Sequence, residues 1–339
     1  MTLCKTVQAA WWTVVLMAVP AVPQELKLPA RWELSPPLIS PEVRDADRAV
    51  SVKDPTVVFA EGKWHVFMTI RCEGYVPMEY VSFAKWEEAE KAPRHVLRGT
   101  SEQKYRCAPQ VFYFRPHKKW YLIHQLGVPG RKFMQISFST TATIGDPKSW
   151  TPSQSIFRTD ADDTRKEGGL DFWMICDGPK AYLFYTNLKG KMYRMWTTLE
   201  EFPFGFRDCQ VALQADIFEA SHIYRLKGMD KFLALIEANP GGKRLYKAFV
   251  ADRLDGKWTE MKAHDNLPFA SDRNVRPAAG VELWTDNISH GELLRDGCDE
   301  TLTVDPNNLR LLIQGVLQKN KPRNYGQIPW RLGLLTPAK

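Results

Sequence analysis

The sequence predicts an all-β fold, a five-bladed β-propeller, and three observations lead there. One hairpin pattern recurs in five copies along the 339 residues. The copies lie at intervals of about 50 to 70 residues, the spacing of propeller blades. Little helical periodicity separates them, which argues against strands alternating with helices. Each copy opens on a polar or acidic residue and continues as a short apolar strand. It then turns at Gly, Lys or Asp and returns through a strand opened by an aromatic.

The first copy is Lys53-Asp54-Pro55-Thr56-Val57-Val58-Phe59 with Gly62-Lys63-Trp64-His65-Val66-Phe67. The second is Ala108-Pro109-Gln110-Val111-Phe112-Tyr113-Phe114 with Lys118-Lys119-Trp120-Tyr121-Leu122-Ile123. A third starts at Asp171-Phe172-Trp173-Met174-Ile175 and returns through Ala181-Tyr182-Leu183-Phe184-Tyr185. The fourth runs Glu219-Ala220-Ser221-His222-Ile223-Tyr224, then Lys231-Phe232-Leu233-Ala234-Leu235. The fifth is weaker, His290-Gly291-Glu292-Leu293-Leu294 followed by Leu309-Arg310-Leu311-Leu312-Ile313. Hairpins alone do not dictate closure, so a β-sandwich with long loops is the competing architecture. Helix is expected only as a short turn around Ala84 to Lys91.

Ahead of the copies the chain divides in two. Residues 1–21 read as a signal peptide: Lys5 precedes an apolar run from Ala9 to Ala21, and Val19 and Ala21 suit cleavage. That run is too short for a membrane span, which needs about 20 residues. Residues 22–40 are rich in proline and read as a strap leading into a catalytic domain over 41–339. The expected location is therefore outside the cytoplasm, extracellular or periplasmic, with no membrane partner.

The formal charge is +7, but 46 basic residues are interleaved with 39 acids, and only short basic pieces such as Arg115 to Lys119 and Lys319 to Arg323 occur. Nucleic acid is not an expected partner. The five cysteines after the leader, Cys72, Cys107, Cys176, Cys209 and Cys298, show no C-x-x-C spacing, so zinc is not supported either. No phosphate loop, dinucleotide fingerprint, nucleophile elbow or H-E-x-x-H helix is present. What remains abundant is aromatic surface, with 12 Trp, 11 Tyr and 17 Phe, suited both to strands and to stacking on sugar rings.

In a propeller the innermost strands border a central channel, so residues that open them converge from distant parts of the chain. Three of the five openings are acidic: Asp54, Asp171 and Glu219. Each alone has an ordinary explanation as a turn or edge residue. Together, each ahead of an apolar strand, they fit glycosidic cleavage, which needs a carboxylic acid to protonate the leaving oxygen and a carboxylate to activate water. A third carboxylate nearby would raise the pKa of the donor.

The strings Ser51-Val52-Lys53-Asp54-Pro55, Tyr105 to Phe114, Asp171-Phe172-Trp173-Met174-Ile175-Cys176-Asp177 and Phe218-Glu219-Ala220-Ser221 resemble glycoside hydrolase family 62. The likeness continues through Trp284 to Glu292 and Pro329-Trp330-Arg331, and so covers almost all of Trp32 to Thr336. It implies an inverting α-L-arabinofuranosidase that acts on arabinose side chains of xylan. Residue by residue, Asp54 matches the general base, Glu219 the general acid, and Asp171 the acid that orients substrate and tunes the donor. Lys53 matches a sugar contact, and Gln314 and Tyr325 match residues of the sugar pocket. His290 matches a histidine associated with a structural calcium ion in the channel. The implied partner is a plant cell-wall polysaccharide such as arabinoxylan, and the chain is taken as a monomer.

Two departures from the family pattern are Leu126, where many members carry Trp, and Gly326, where many carry Asn. They suggest an altered groove for the polymer around an intact cleavage centre. Asn287-Ile288-Ser289 satisfies the glycosylation pattern by chance, since it lies inside the motif. Rival readings are a family 43-like arabinanase or xylosidase and a non-catalytic glycan-binding propeller.

Overall fold

A computed structural model describes residues 26–45 and 48–338. The signal peptide expected over 1–21 lies outside them. Five sheets, antiparallel but for two short parallel pairings, build the fold. Blade I comprises Ala49–Ala60, Lys63–Cys72, Met78–Phe83 and Arg94–Val96, and blade II Arg106–Phe114, Lys119–Leu126, Gln135–Thr141 and Gln154–Ser155. Blade III is Leu170–Asp177, Lys180–Thr186, Lys191–Thr198 and Arg207–Gln214. Blade IV is His222–Leu226, Phe232–Ala238, Leu245–Ala251 and Thr259–Met261, with Thr303–Val304 added in parallel to its first strand. The fold is the five-bladed β-propeller that the repeats predict.

Inner strands read as unbroken apolar runs because blades pack on both of their faces. Every residue of Phe232–Ala238 is buried, whereas Arg207–Gln214, an outer strand, is mostly exposed. Hairpin turns are set locally: Glu61 and Gly62, with φ of 50° and 75°, join the first two strands of blade I in the geometry that matches strand twist. The short helical turn near Ala84 is a 3-10 helix, Trp86–Lys91.

Blade V is built from both ends of the chain. Asn287–Leu293, Leu311–Val316 and Arg331–Pro337 form its inner part. Trp32–Leu34, from the proline-rich strap, pairs antiparallel with Arg331–Pro337 and parallel with Val275–Pro277. The strap thus supplies a strand of the ring. Trp32 is fully buried, donates its indole N–H to the Phe269 carbonyl at 2.6 Å, and lies 5.1 Å from the Phe269 ring.

Four inner strands carry a β-bulge at the same level. Register shifts fall between Lys53 and Thr56, Cys107 and Gln110, Leu170 and Trp173, and Ser289 and Gly291. In blade IV, Glu219 pairs with Glu237 and His222 with Leu235, so residues 220 and 221 face one partner and a fifth bulge sits just before the strand. The bulged residues are Asp54, Ala108, Asp171, Ala220 and His290. The first four adopt left-handed φ of 50°, 50°, 59° and 54°. Such backbone costs about 1 to 3 kcal/mol per non-glycine residue, so each needs support from its surroundings.

Candidate active site

That support is a ring of bonds from blade to blade. Four of the five bulged N–H groups donate to the second strand of the preceding blade. Ala108 donates to Thr69 Oγ1 at 2.9 Å, Asp171 to Gln125 Oε1 at 3.1 Å, His290 to Glu237 Oε2 at 2.7 Å and Asp54 to Gln314 Oε1 at 2.7 Å. The fifth link differs. Thr186 holds the equivalent position in blade III, opposite Leu170, yet the Ala220 N–H donates to Asp171 Oδ2 at 3.0 Å. One carboxylate oxygen has replaced the hydroxyl, and the Thr186 hydroxyl, fully buried, has no hydrogen-bond partner among the described residues.

The ring brings the three predicted acids into one pocket of about 270 Å3, together with Lys53, Tyr105, Gln125, Arg244, His290 and Tyr325, and with Leu170, Leu188 and Phe218 as apolar wall. Asp54, Asp171 and Glu219 are all buried. A larger depression of about 870 Å3 beside His117, Phe157, Phe204 and Arg207 contains none of them.

The environments divide the acids. Burial pushes the Asp54 carboxyl up, but Lys53 and His290, with hydrogen bonds from Thr69 and Lys53, outweigh it and hold it below the usual range. Lys53 Nζ lies 3.2 Å from Asp54 Oδ2, and His290 Nδ1 lies 3.4 Å from Oδ1. Asp54 is thus a stable carboxylate. Asp171 is pushed above the usual range by burial and then by the Asp54 charge, partly relieved by the Ala220 N–H. Glu219 is raised by burial, then by Glu237 and Asp171, against the pull of Arg244. The pocket therefore holds one carboxyl kept ionised and another kept protonated toward neutral pH.

Arg244 and Glu237 were not found from sequence. Arg244 Nη1 contacts Glu219 Oε1 at 2.8 Å and also pairs with Glu237, while its guanidinium carbon stands 4.3 Å from the centre of the Phe218 ring. It reaches the pocket because the turn Pro240–Gly242, with two left-handed glycines, precedes it. The Pro-Gly-Gly string marks that turn, but nothing in the pattern indicates where Arg244 points. Glu237, fully buried in a second strand, looks like any core position until its bonds to Ser289, His290 and Arg244 are seen.

Lys53 and Tyr325 meet at the pocket, with Nζ 5.5 Å from the ring centre and Tyr325 half exposed. Gln314 differs from expectation. It is buried behind the wall, accepts from the Asp54 N–H, and donates to Ser289 Oγ at 3.0 Å, so it supports Asp54 and does not line the pocket. Its amide can satisfy two buried groups at once, which favours the inward position.

His290 offers a metal one ring nitrogen at a time, and Nδ1 already faces Asp54 and, at 3.7 Å, Asp171. No group of three or more His, Cys, Asp or Glu placed to hold a metal occurs among the described residues. Calcium requires six to eight oxygen donors. Among the described residues the side chains around His290 supply no such set by themselves, and water would have to complete it.

Leu126 is buried, so this position presents no open face for stacking. Asn287 is fully buried and hydrogen-bonded, which excludes a glycan there. Cys107, Cys176, Cys209 and Cys298 are thiols. Among the described residues, no helix is long and apolar enough to cross a membrane.

Comparisons with known proteins point to one family. The family model described as Glycosyl hydrolase family 62 matches residues 32–336. The chain is 38% identical over 322 residues to "Alpha-L-arabinofuranosidase C" of Cellvibrio japonicus, spanning 93% of this chain but only 48%, about half, of that protein's length. It is similar to the solved catalytic domain of a Coprinopsis cinerea GH62 α-L-arabinofuranosidase, with a TM-score of 0.83, 35% identity and coverage of 92% of this chain and 98% of that one. A GH62 hydrolase solved with xylotriose gives a TM-score of 0.80 at 34% identity, covering 90% of this chain and 97% of that one. With nearly its whole described length matched, the chain belongs to glycosyl hydrolase family 62.

Proposed function

We propose that the chain is a secreted α-L-arabinofuranosidase that removes single arabinofuranose units from arabinoxylan-type polysaccharide, with inversion, Asp54 acting as base and Glu219 as acid. The observation that carries this reading is the division of charge in one pocket: Asp54 held ionised, Glu219 held protonated. The relatives' names point to arabinofuranose, and the xylotriose in one related structure points to a xylan backbone.

In this mechanism Glu219 gives its proton to the leaving glycosidic oxygen. Its Oε1 is held by Arg244, which leaves the second oxygen to carry the proton. Asp54 takes a proton from a water attacking the opposite face of the sugar, and inversion requires about 6.5 to 9.5 Å between the two carboxyl groups to admit that water. Lys53 and His290 keep the base ionised and fixed, while its remaining lone pairs receive the water. Asp171, locked to the Ala220 N–H, repels charge on Glu219 and so keeps the donor loaded until transfer. Tyr325 and the apolar wall of Leu188 and Phe218 offer the ring faces and the dry surface a furanose needs.

Proton NMR of the first anomer released from arabinoxylan tests the reading in one measurement. The expected result is free arabinose of inverted configuration with no shortening of the backbone. Oligosaccharide products, or arabinose of retained configuration, would overturn it.

A further inference from the structure

We infer that Arg71 is a specificity-determining residue that selects acidic polysaccharide, binding the carboxylate of a uronic acid carried by the polymer at the mouth of the sugar pocket. The inference rests on the arabinofuranosidase reading and extends it to the chemistry of the backbone.

Arg71 lies on the second strand of blade I, two residues beyond Thr69, so both side chains leave the same face of the strand. Thr69 bonds Asp54 and the Ala108 N–H, which places that face toward blade II and beside Asp54. Arg71 is the next residue of that face, one position before the strand ends at Cys72. There Arg71 lies against the turn Tyr325–Gln327, whose first residue lines the sugar pocket.

The contact depends on Gly326. A Cβ at this position would come within 2.8 Å of Arg71 Nη2 and 3.1 Å of Cζ. Gly326 has no left-handed φ, so its backbone does not require glycine. What a side chain would remove is the room for the guanidinium. Glycine and arginine are therefore complementary here: one vacates the volume that the other fills.

Arg71 is partly buried, and among the described residues its guanidinium makes no hydrogen bond or ion pair. Glu73, two residues on, is exposed and forms no ion pair with it. The neighbouring cation Lys53 is already matched by Asp54. A planar guanidinium held in place with its donors unused suits a carboxylate, which it can bind through two parallel bonds. A neutral hydroxyl would leave most of those donors idle.

The test compares kcat/KM on an arabinoxylan bearing uronic acid groups with the same polymer after reduction of its carboxyls to alcohols. An aryl arabinofuranoside serves as a third substrate, reporting whether the arabinose pocket works in each protein. The unaltered protein should prefer the acidic polymer by about tenfold, the scale of one exposed charge-assisted contact, with the preference fading as salt rises. Arg71→Ala should bring the ratio near one, Arg71→Lys should restore part of it, and Gly326→Ala, which displaces the guanidinium, should lower it with Arg71 still present. A ratio near one in the unaltered protein, or one that Arg71→Ala leaves intact, overturns the inference while aryl cleavage leaves the arabinofuranosidase reading standing. Failure to cleave the aryl substrate at all would instead remove that reading.

Discussion

The backbone N–H of Ala220 donates to Oδ2 of Asp171 at 3.0 Å, which couples the third acid to the peptide that carries Glu219. Asp171→Asn keeps an oxygen for that N–H and removes the charge. Without the repulsion the Glu219 pKa falls, so the alkaline limb of kcat/KM should move to lower pH, and the rate should drop about 100-fold. Asp171→Ala should add about 1 to 3 kcal/mol of instability, because a buried N–H loses its acceptor. Rate profiles and thermal unfolding of the two variants distinguish these effects, and an unmoved alkaline limb in Asp171→Asn would refute the coupling.

Glu219→Gln removes the proton donor and keeps the shape of the pocket. The loss should reach about 100- to 10,000-fold on arabinoxylan, with binding of an arabinose-substituted oligosaccharide retained. On an aryl arabinofuranoside whose leaving group needs little protonation the loss should be smaller. Equal losses on both substrates would argue that Glu219 serves another role.

The third prediction concerns Glu237, which faces Glu219 across Arg244. Its charge raises the Glu219 pKa, and its pairing draws on the same guanidinium nitrogen. Glu237→Gln cancels both effects, each of which favours the protonated donor. The alkaline limb should therefore shift to lower pH while the acid limb, governed by Asp54, stays in place. Movement of the acid limb alone would contradict this assignment.

Five hairpins and three acids were legible in the sequence because both follow from short-range pattern: apolar strands, turn residues and an acid ahead of three of those strands. The bulges were not, since an inserted residue changes pairing without changing the apolar run around it. Asp54 sits inside the strand Ala49–Ala60, not at its opening. In the common register Glu219 aligns with Lys53, one residue before Asp54 and Asp171, because Ala220 holds the bulge. Glu219 thus enters the pocket from a different step of the ladder than Asp54. Trp32–Leu34 was read as strap for a related reason: three residues among prolines carry no periodicity, and their partners lie at the far end of the chain.

Closure by that short strand yields a fourth prediction. Trp32 fills the space between Phe269 and the last blade and satisfies the Phe269 carbonyl. Trp32→Ala should cost about 3 to 5 kcal/mol, the range for deleting a large buried aromatic. Denaturant titration measures it. A loss under about 1 kcal/mol, the scale of a surface change, would mean that the ring closes without the strap.

Thr69 in blade I and Thr186 in blade III occupy the same place in the ring, opposite the residue that precedes the bulge. Only the first is used, since Thr69 accepts from Ala108 and donates to Asp54, whereas the Thr186 hydroxyl is displaced by Asp171. Replacing each by valine should therefore give opposite results. Thr69→Val strands a buried N–H, costs about 1 to 3 kcal/mol and removes a bond that favours the Asp54 carboxylate. The Asp54 pKa then rises, and the acid limb of kcat/KM moves to higher pH. Thr186→Val removes an unsatisfied buried hydroxyl and should leave stability unchanged or raised by about 1 kcal/mol, with an unaltered pH profile. Equal destabilisation by the two would show that the fifth link of the ring does run through Thr186, and that Asp171 is free of the Ala220 amide.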